Sequence, residues 1–400
     1  MKKSLFLAAI LLISLALCAT VEISGDARTR MSWNNWFDPD SDSKSIFDSR
    51  AQIQFKVNPA EDLYFVYMLR AGNYVWGDKA NTGVWSKKGK LVTRHLYFDY
   101  NGFEDMNIRV GLLPWLDHKS LVLDDDLAGV IVSKKFNQDM TLEVGYGQVY
   151  ESDTAFDGTN DYNDADVDAF LGLISFDMSN MYGVNTIIKS YKINKSRLDL
   201  WFMPYFNYNL NGLQIDAMGA YNYGSYTEAF AGKDVTNGGY AFSLDLEYNL
   251  EENGIAGLNF LYSSGDDGED PESTTAFNTL SSYYMNGLEY MGIGINDSHP
   301  SDFYFDANNN DAGIMSIVGR YAYPFTEKFT GRIAAGMVSA IEGEETAMAT
   351  EINIGACYML YENVSLDAVG AYVMPGKYYQ YAGEDGDNAY EVSTRINVKF

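Results

Sequence analysis

The chain has 400 residues, 46% hydrophobic and 15% aromatic, with 31 Tyr and 22 Phe against only 8 Pro. Intrinsic disorder is excluded by that aromatic content, and a formal net charge of −27 leaves no basic surface for nucleic acid. Beyond the first residues no segment approaches a run of apolar residues long enough for a helical membrane span.

Residues 1–19 read as an export signal. Lys2 and Lys3 form a basic start, Leu5 to Leu17 an apolar stretch, and Ala19 a small residue at a cleavage point. With that leader removed, Cys357 is the only cysteine and no intrachain disulfide can form. Residues 20–400 are expected to form one domain.

Alternation with period two starts at once. From Val21 to Met31 one parity is apolar or small, while the other carries Glu22, Ser24, Asp26, Arg28 and Arg30. Ala51, Ile53, Phe55 and Val57 likewise oppose Arg50, Gln52, Gln54 and Lys56. In mid-chain Tyr240, Phe242, Leu244, Leu246 and Tyr248 oppose Ser243, Asp245, Glu247 and Asn249. The last stretch sets Tyr390, Val392, Thr394, Ile396, Val398 and Phe400 against Glu391, Ser393, Arg395, Asn397 and Lys399. Such runs predict strands near 20–34, 47–57, 62–71, 91–101, 105–113, 127–136, 139–150, 167–178 and 182–193. Nine more follow near 197–210, 212–227, 238–250, 254–263, 313–325, 328–340, 345–361, 364–374 and 388–400. That makes eighteen, with sixteen as the fallback because 127–136 and 182–193 alternate weakly.

The connections separate into two kinds. Every second one is tight and rich in turn formers, as at Asn58-Pro59, Asn101-Gly102, Asn211-Gly212, Asn253-Gly254 and Glu362-Asn363. The others are mostly long and polar, such as 72–90, 151–166, 264–312 and 375–387; the link at Asn194-Lys195-Ser196 is the short exception. Short turns at one end and long loops at the other predict an all-β fold, a closed antiparallel transmembrane β-barrel. Hydrocarbon offers backbone groups no partner, so such a sheet has no free edge. Aromatics beside the tight turns (Tyr100, Phe103, Phe206, Tyr208, Tyr323, Phe325, Phe329) then form an interfacial belt.

Gly25-Asp26-Ala27-Arg28-Thr29-Arg30 is similar to the first strand of bacterial outer-membrane porins, which often reads Gly-x-x-Arg-x-Arg. The closing strand, ending at Phe400, resembles the signal read by the barrel assembly machinery. In strand number the chain looks closer to eighteen-stranded substrate-selective channels than to sixteen-stranded general porins. The resemblance implies an outer-membrane location among lipid and lipopolysaccharide, no cofactor, and passive diffusion of small hydrophilic solutes. Monomer and homotrimer both stay open, because an oligomer interface on a barrel is as apolar as a lipid face.

On the polar parity, Arg28, Arg30, Arg50, Arg70, Arg109 and Arg395 fall on neighbouring strands around the seam, extended by Arg320 and Arg332. Asp199, Asp216, Asp245 and Glu247 fall on strands across the ring, and Glu143 nearer that acidic half. A basic wall facing an acidic wall would set a field across the pore; the alternative is simply solvated lumen charge. Many porins fold their third outer loop inward. In that position, 113–126, this chain carries Asp124, Asp125 and Asp126, so the resemblance implies an acidic constriction against the arginines, with a solvated outer loop as the alternative.

The connection 264–312 carries ten acids, no Lys or Arg, and aromatic pairs such as Tyr283-Tyr284, which predicts a packed lid rather than a loose loop. Within it Asp306, Asn308 and Asn310 have calcium-loop spacing, but the sixth-position Gly is missing and Ile317 stands where the bidentate acid belongs, so no dedicated metal site is expected. Two further readings remain: a structural or adhesive barrel whose acidic loop plugs the pore, and a barrel hydrolase. The second has only His95, on a parity shared with Asp99, as its base, and no nucleophile motif.

Overall fold

The structure is a computed structural model that describes residues 20–38, 42–76, 91–150, 168–179, 181–193, 195–227, 234–294, 305–381 and 384–400. The leader 1–19 lies outside them, as do 77–90, 151–167 and part of the 264–312 connection. Eighteen strands form the barrel. They begin with β1 (Thr20–Asn34), β2 (Lys44–Ala60), β3 (Leu63–Val75), β4 (Leu91–Phe103), β5 (Met106–Leu116) and β6 (Asp124–Lys135). Next come β7 (Met140–Tyr150), β8 (Asp168–Met178), β9 (Tyr182–Ile193), β10 (Lys195–Leu210), β11 (Leu213–Thr227) and β12 (Asp234–Asn249). The ring is completed by β13 (Ile255–Ser263), β14 (Ile314–Thr326), β15 (Phe329–Ala340), β16 (Ala347–Tyr361), β17 (Val364–Pro375) and β18 (Ala389–Lys399).

Each strand pairs antiparallel with the next. β18 returns to β1 from Asp26↔Lys399 to Asn34↔Glu391, which closes the sheet. At the seam Gly25 and Phe400 exchange two backbone hydrogen bonds, of 2.7 and 3.0 Å. All eighteen expected strands exist, so the sixteen-strand fallback is discarded. Tight turns and the seam termini share one end, and the longer connections share the other.

Parity decides which side chains face out. On β1, Ile23, Met31 and Trp33 are exposed while Arg28, Arg30, Ser32 and Asn34 are buried. Large apolar side chains populate the outer face all round the ring, from Phe98 and Val110 through Phe202, Tyr221 and Phe242 to Ile354 and Ile396. The belt by the tight turns is there: Tyr323 and Phe325 rings lie 4.9 Å apart, Tyr100 and Phe103 5.4 Å, and Phe325 and Phe329 5.5 Å.

The inner parity departs from the expectation that it is polar throughout. Leu113 and Trp115 (β5), Leu127 and Ile131 (β6), Leu171 and Leu173 (β8), Ile187 (β9), Trp201 and Met203 (β10) and Leu261 (β13) point inward and are buried. They form one apolar cluster with Leu121, Val122 and Leu123 from the β5–β6 loop and with Phe277, Leu288 and Met291 from the β13–β14 loop. Removing each such side chain from water contributes about 1.5–3 kcal/mol. Part of the bore is therefore a hydrophobic core, and the remainder is polar.

Candidate pore and constriction

The arginines cluster as the register requires. Arg28 stands directly opposite Arg50, and Arg30 directly opposite Arg395. Like charges across a ladder repel, and acids on these and adjoining strands relieve them. Asp48 holds Arg30 at 3.0 Å, Asp26 holds Arg50 at 3.2 Å, and Asp367 on β17 holds Arg395 at 3.2 Å. Arg70 donates to Gln52 at 2.6 Å. Arg109 and Ser133 both donate to Glu143, each at 2.8 Å. Arg332 lies on the inner parity of β15, opposite Gly355.

Charge is thus interleaved rather than segregated into a basic and an acidic wall. Asp26 and Asp48 share the parity of Arg28 and Arg50, a signal the sequence carries beside the bases. Across the ring the same holds. Arg320 reaches Asp245 at 2.8 Å and Glu247 at 3.5 Å, and Asp199 lies buried at the register position opposite Lys189. Between the arginines and the seam, a cavity of about 640 Å³ is lined by Arg28, Arg50, Arg395, Lys399 and Asp26.

The expected acidic constriction loop is corrected. Asp124, Asp125 and Asp126 belong to β6, paired with Leu116, Trp115 and Pro114 of β5. Strand geometry turns successive residues to opposite faces, so the triplet does not act as one patch. Asp126 contacts Arg94 and, at 3.1 Å, His95 Nε2. A bulge between Thr93 and His95 lets both adjacent β4 residues reach the same acid. His95 and Arg94 thereby share one carboxylate, while Asp99 accepts from Asn101 and Asn107 instead.

The loop proper is 117–123, and it crosses the bore with a basic tip. Asp117 is fully buried and accepts from the backbone N–H groups of Lys119, Leu121, Val122 and Leu123, at 2.8–3.2 Å. Burial pushes its carboxyl up from the ordinary range, and the four donors oppose that. This nest projects His118 and Lys119 to the far wall. His118 Nε2 lies 2.8 Å from Asp216, and Lys119 Nζ lies 3.5 Å from both Asp216 and Asp245. Two of the acids expected to line the pore opposite the arginines, Asp216 and Asp245, receive this tip.

The described part of the β13–β14 connection, 264–294 and 305–313, folds inward beside it rather than capping the barrel from outside. Leu280 and Ser281 N–H donate to Val122 O, and Tyr283 N–H to Ser120 O. A Cβ at Gly239 of β12 would collide with Ala276 O, so glycine is required where the loop lies against the wall. Tyr284 OH bonds to Ser243 and Asn259, both at 2.8 Å, and burial holds its phenol well above its ordinary value. Opposite, Glu351 of β16 is fully buried. It accepts from the N–H groups of Glu289 (2.8 Å), Tyr290 (3.2 Å) and Met291 (2.8 Å) and from Asn353 (3.1 Å). Tyr290 OH reaches Asn35 O at 2.7 Å, within an aromatic cluster of Trp36, Phe37 and Tyr379. The two loops together span the bore from β12 to β16 and β1.

Asp306 and Asn308 are engaged within the connection itself. Asp306 accepts from Thr279 OH and Asn308 N–H, while the Asn308 amide donates to Phe277 O and Asp311. An amide nitrogen turned toward these acceptors is not a cation ligand. Among the described residues no group of three or more His, Cys, Asp or Glu side chains is placed to hold a metal ion.

No protein-family model and no curated protein matches the sequence. Solved structures do match the fold. The chain is similar to Pseudomonas aeruginosa OccK9 (OpdG) over 95% of its length and 98% of that chain, with TM-score 0.60 and 11% identity. For Acinetobacter baumannii OccAB1 the values are 95%, 97%, 0.58 and 12%. For Pseudomonas aeruginosa OccK2 (OpdF), solved in complex with glucuronate, they are 95%, 98%, 0.55 and 10%. The chain shares their barrel fold. At this identity the likeness extends to architecture and to no individual site residue.

Proposed function

We propose that the protein is an outer-membrane channel that passes small hydrophilic solutes by passive diffusion, with the arginine cluster favouring anions. One observation carries the reading: a ring without free edges has an apolar outside and, beside the arginines, a charged inside with an open cavity. Glucuronate, seen with one structural neighbour, is itself a carboxylate. Phe400, half exposed at the seam, is where the barrel assembly machinery would read the chain. A hydrolase is disfavoured because His95 Nε2 is taken up by Asp126, which Arg94 also contacts.

Stepwise current from purified, folded protein in a planar bilayer tests the proposal. A second reading, a barrel plugged by its own loop, is favoured by the inward course of 264–293. Current from the intact chain supports the channel; current only after the loop is loosened supports the plug.

The membrane reading has its own test. Ile354 on β16 is 64% exposed on the outer face. Ile354→Arg should cost about 2–4 kcal/mol of folding stability in a bilayer if that face meets the hydrocarbon midplane. Urea unfolding in lipid vesicles measures it, and a change below about 0.5 kcal/mol is what a water-facing position would give.

A further inference from the structure

We infer that His118 is a pH-sensitive fastener of the constriction: its charge sets how tightly the 117–123 loop is held across the bore. The tip is gripped by groups from several strands. His118 N–H donates to Asn185 of β9 at 2.9 Å, and its ring stacks on Tyr205 of β10, centroids 4.0 Å apart and planes 6° from parallel. Tyr205 OH in turn donates to Asp177 of β8 at 2.5 Å. The ring Nε2 meets Asp216 of β11 at 2.8 Å. Lys119 beside it shares Asp216 with His118 and also meets Asp245 of β12, whose other partner is Arg320 of β14.

The backbone N–H bond to Asn185 and the stack on Tyr205 hold the residue in either protonation state. The Asp216 contact changes most when the imidazole takes a proton, because it becomes an ion pair, while the stack gains a cation–π component. A histidine side chain changes charge between about pH 5 and 8, and protonation adds a full positive charge beside a carboxylate that Lys119 only half neutralises. The grip is therefore strongest where His118 is charged and Asp216 ionised. It weakens as pH rises past the imidazole, and again in acid strong enough to protonate Asp216. Lys119 keeps the loop attached at every neutral pH, so the expected response is a change in how often the tip lets go.

The current readout rests on the channel reading above; a second readout does not. In planar bilayers, brief upward conductance steps should become about twofold to fivefold more frequent at pH 8 than at pH 5.5, the range for a partly exposed pair. His118→Gln keeps a hydrogen-bonding side chain without a titratable charge, and its step frequency should be independent of pH and close to the alkaline wild-type value. Independently of any current, a nitroxide at Ser120→Cys, with Cys18 and Cys357 replaced by Ser, should show a larger mobile fraction at pH 8 than at pH 5.5. That difference should vanish when His118→Gln is added. A pH response of the nitroxide that persists in His118→Gln overturns the inference even if the barrel conducts. Absence of current with an intact nitroxide response overturns the channel reading and leaves the fastener standing.

Discussion

Glu351→Ala is expected to remove about 3–5 kcal/mol of folding stability and to raise single-channel conductance. The carboxylate takes three consecutive backbone N–H groups from the β13–β14 loop, plus the Asn353 amide, in a site closed to water. Truncation leaves those donors buried without an acceptor. Each orphaned donor costs on the order of 1–3 kcal/mol, only partly recovered if water enters. Loosening of residues 289–291 also frees Tyr290 from Asn35 and widens the opening between β16 and β1. Glu351→Gln retains one acceptor oxygen and should lose about half as much. Equilibrium unfolding in vesicles and conductance at fixed salt are the two measurements. Stability within about 0.5 kcal/mol of wild type, with unaltered conductance, would show that the loop is held by its apolar contacts alone.

The second large effect concerns selectivity. Arg30, Arg109 and Arg395 are each matched to an acid, and replacing one of them mainly strands its partner. Arg70 bonds to neutral Gln52. Its charge contributes most to the net field. The variant Arg70→Gln should lower the anion-to-cation permeability ratio roughly 1.5-fold. Reversal potentials in a salt gradient measure it, and the shift should be larger than for Arg109→Gln. Equal shifts would mean that the acids do not screen their arginines as the distances imply.

The strands were legible because a barrel wall with an apolar outside and a largely polar inside imposes period two, and turns impose their own residues at one end. The two weakly alternating stretches are informative in retrospect. In 127–136 and 182–193 the inward residues include Leu127, Ile131 and Ile187, so both faces are apolar and the alternation fades. The weak signal marked where loops pack inside, and it was readable only as ambiguity. Loop course was not legible, because a contact such as Glu351 with Met291 joins residues sixty positions apart and leaves no local pattern. The acidic triplet drew attention by its charge, whereas the residues that cross the bore, His118 and Lys119, stand just before it in the same connection. A basic pair inside an otherwise acidic stretch was the available cue.

An interior lined by Leu113, Trp115, Leu171 and Trp201 also bears on biogenesis. A cylinder sealed around water at those positions would be an intermediate with greasy inner walls, and such surfaces favour misassembly. The filler comes from the β5–β6 and β13–β14 connections, both well inside the chain, while the final join is between its two ends. The polypeptide is therefore arranged so that stuffing can enter before the zipper between first and last strands is drawn shut.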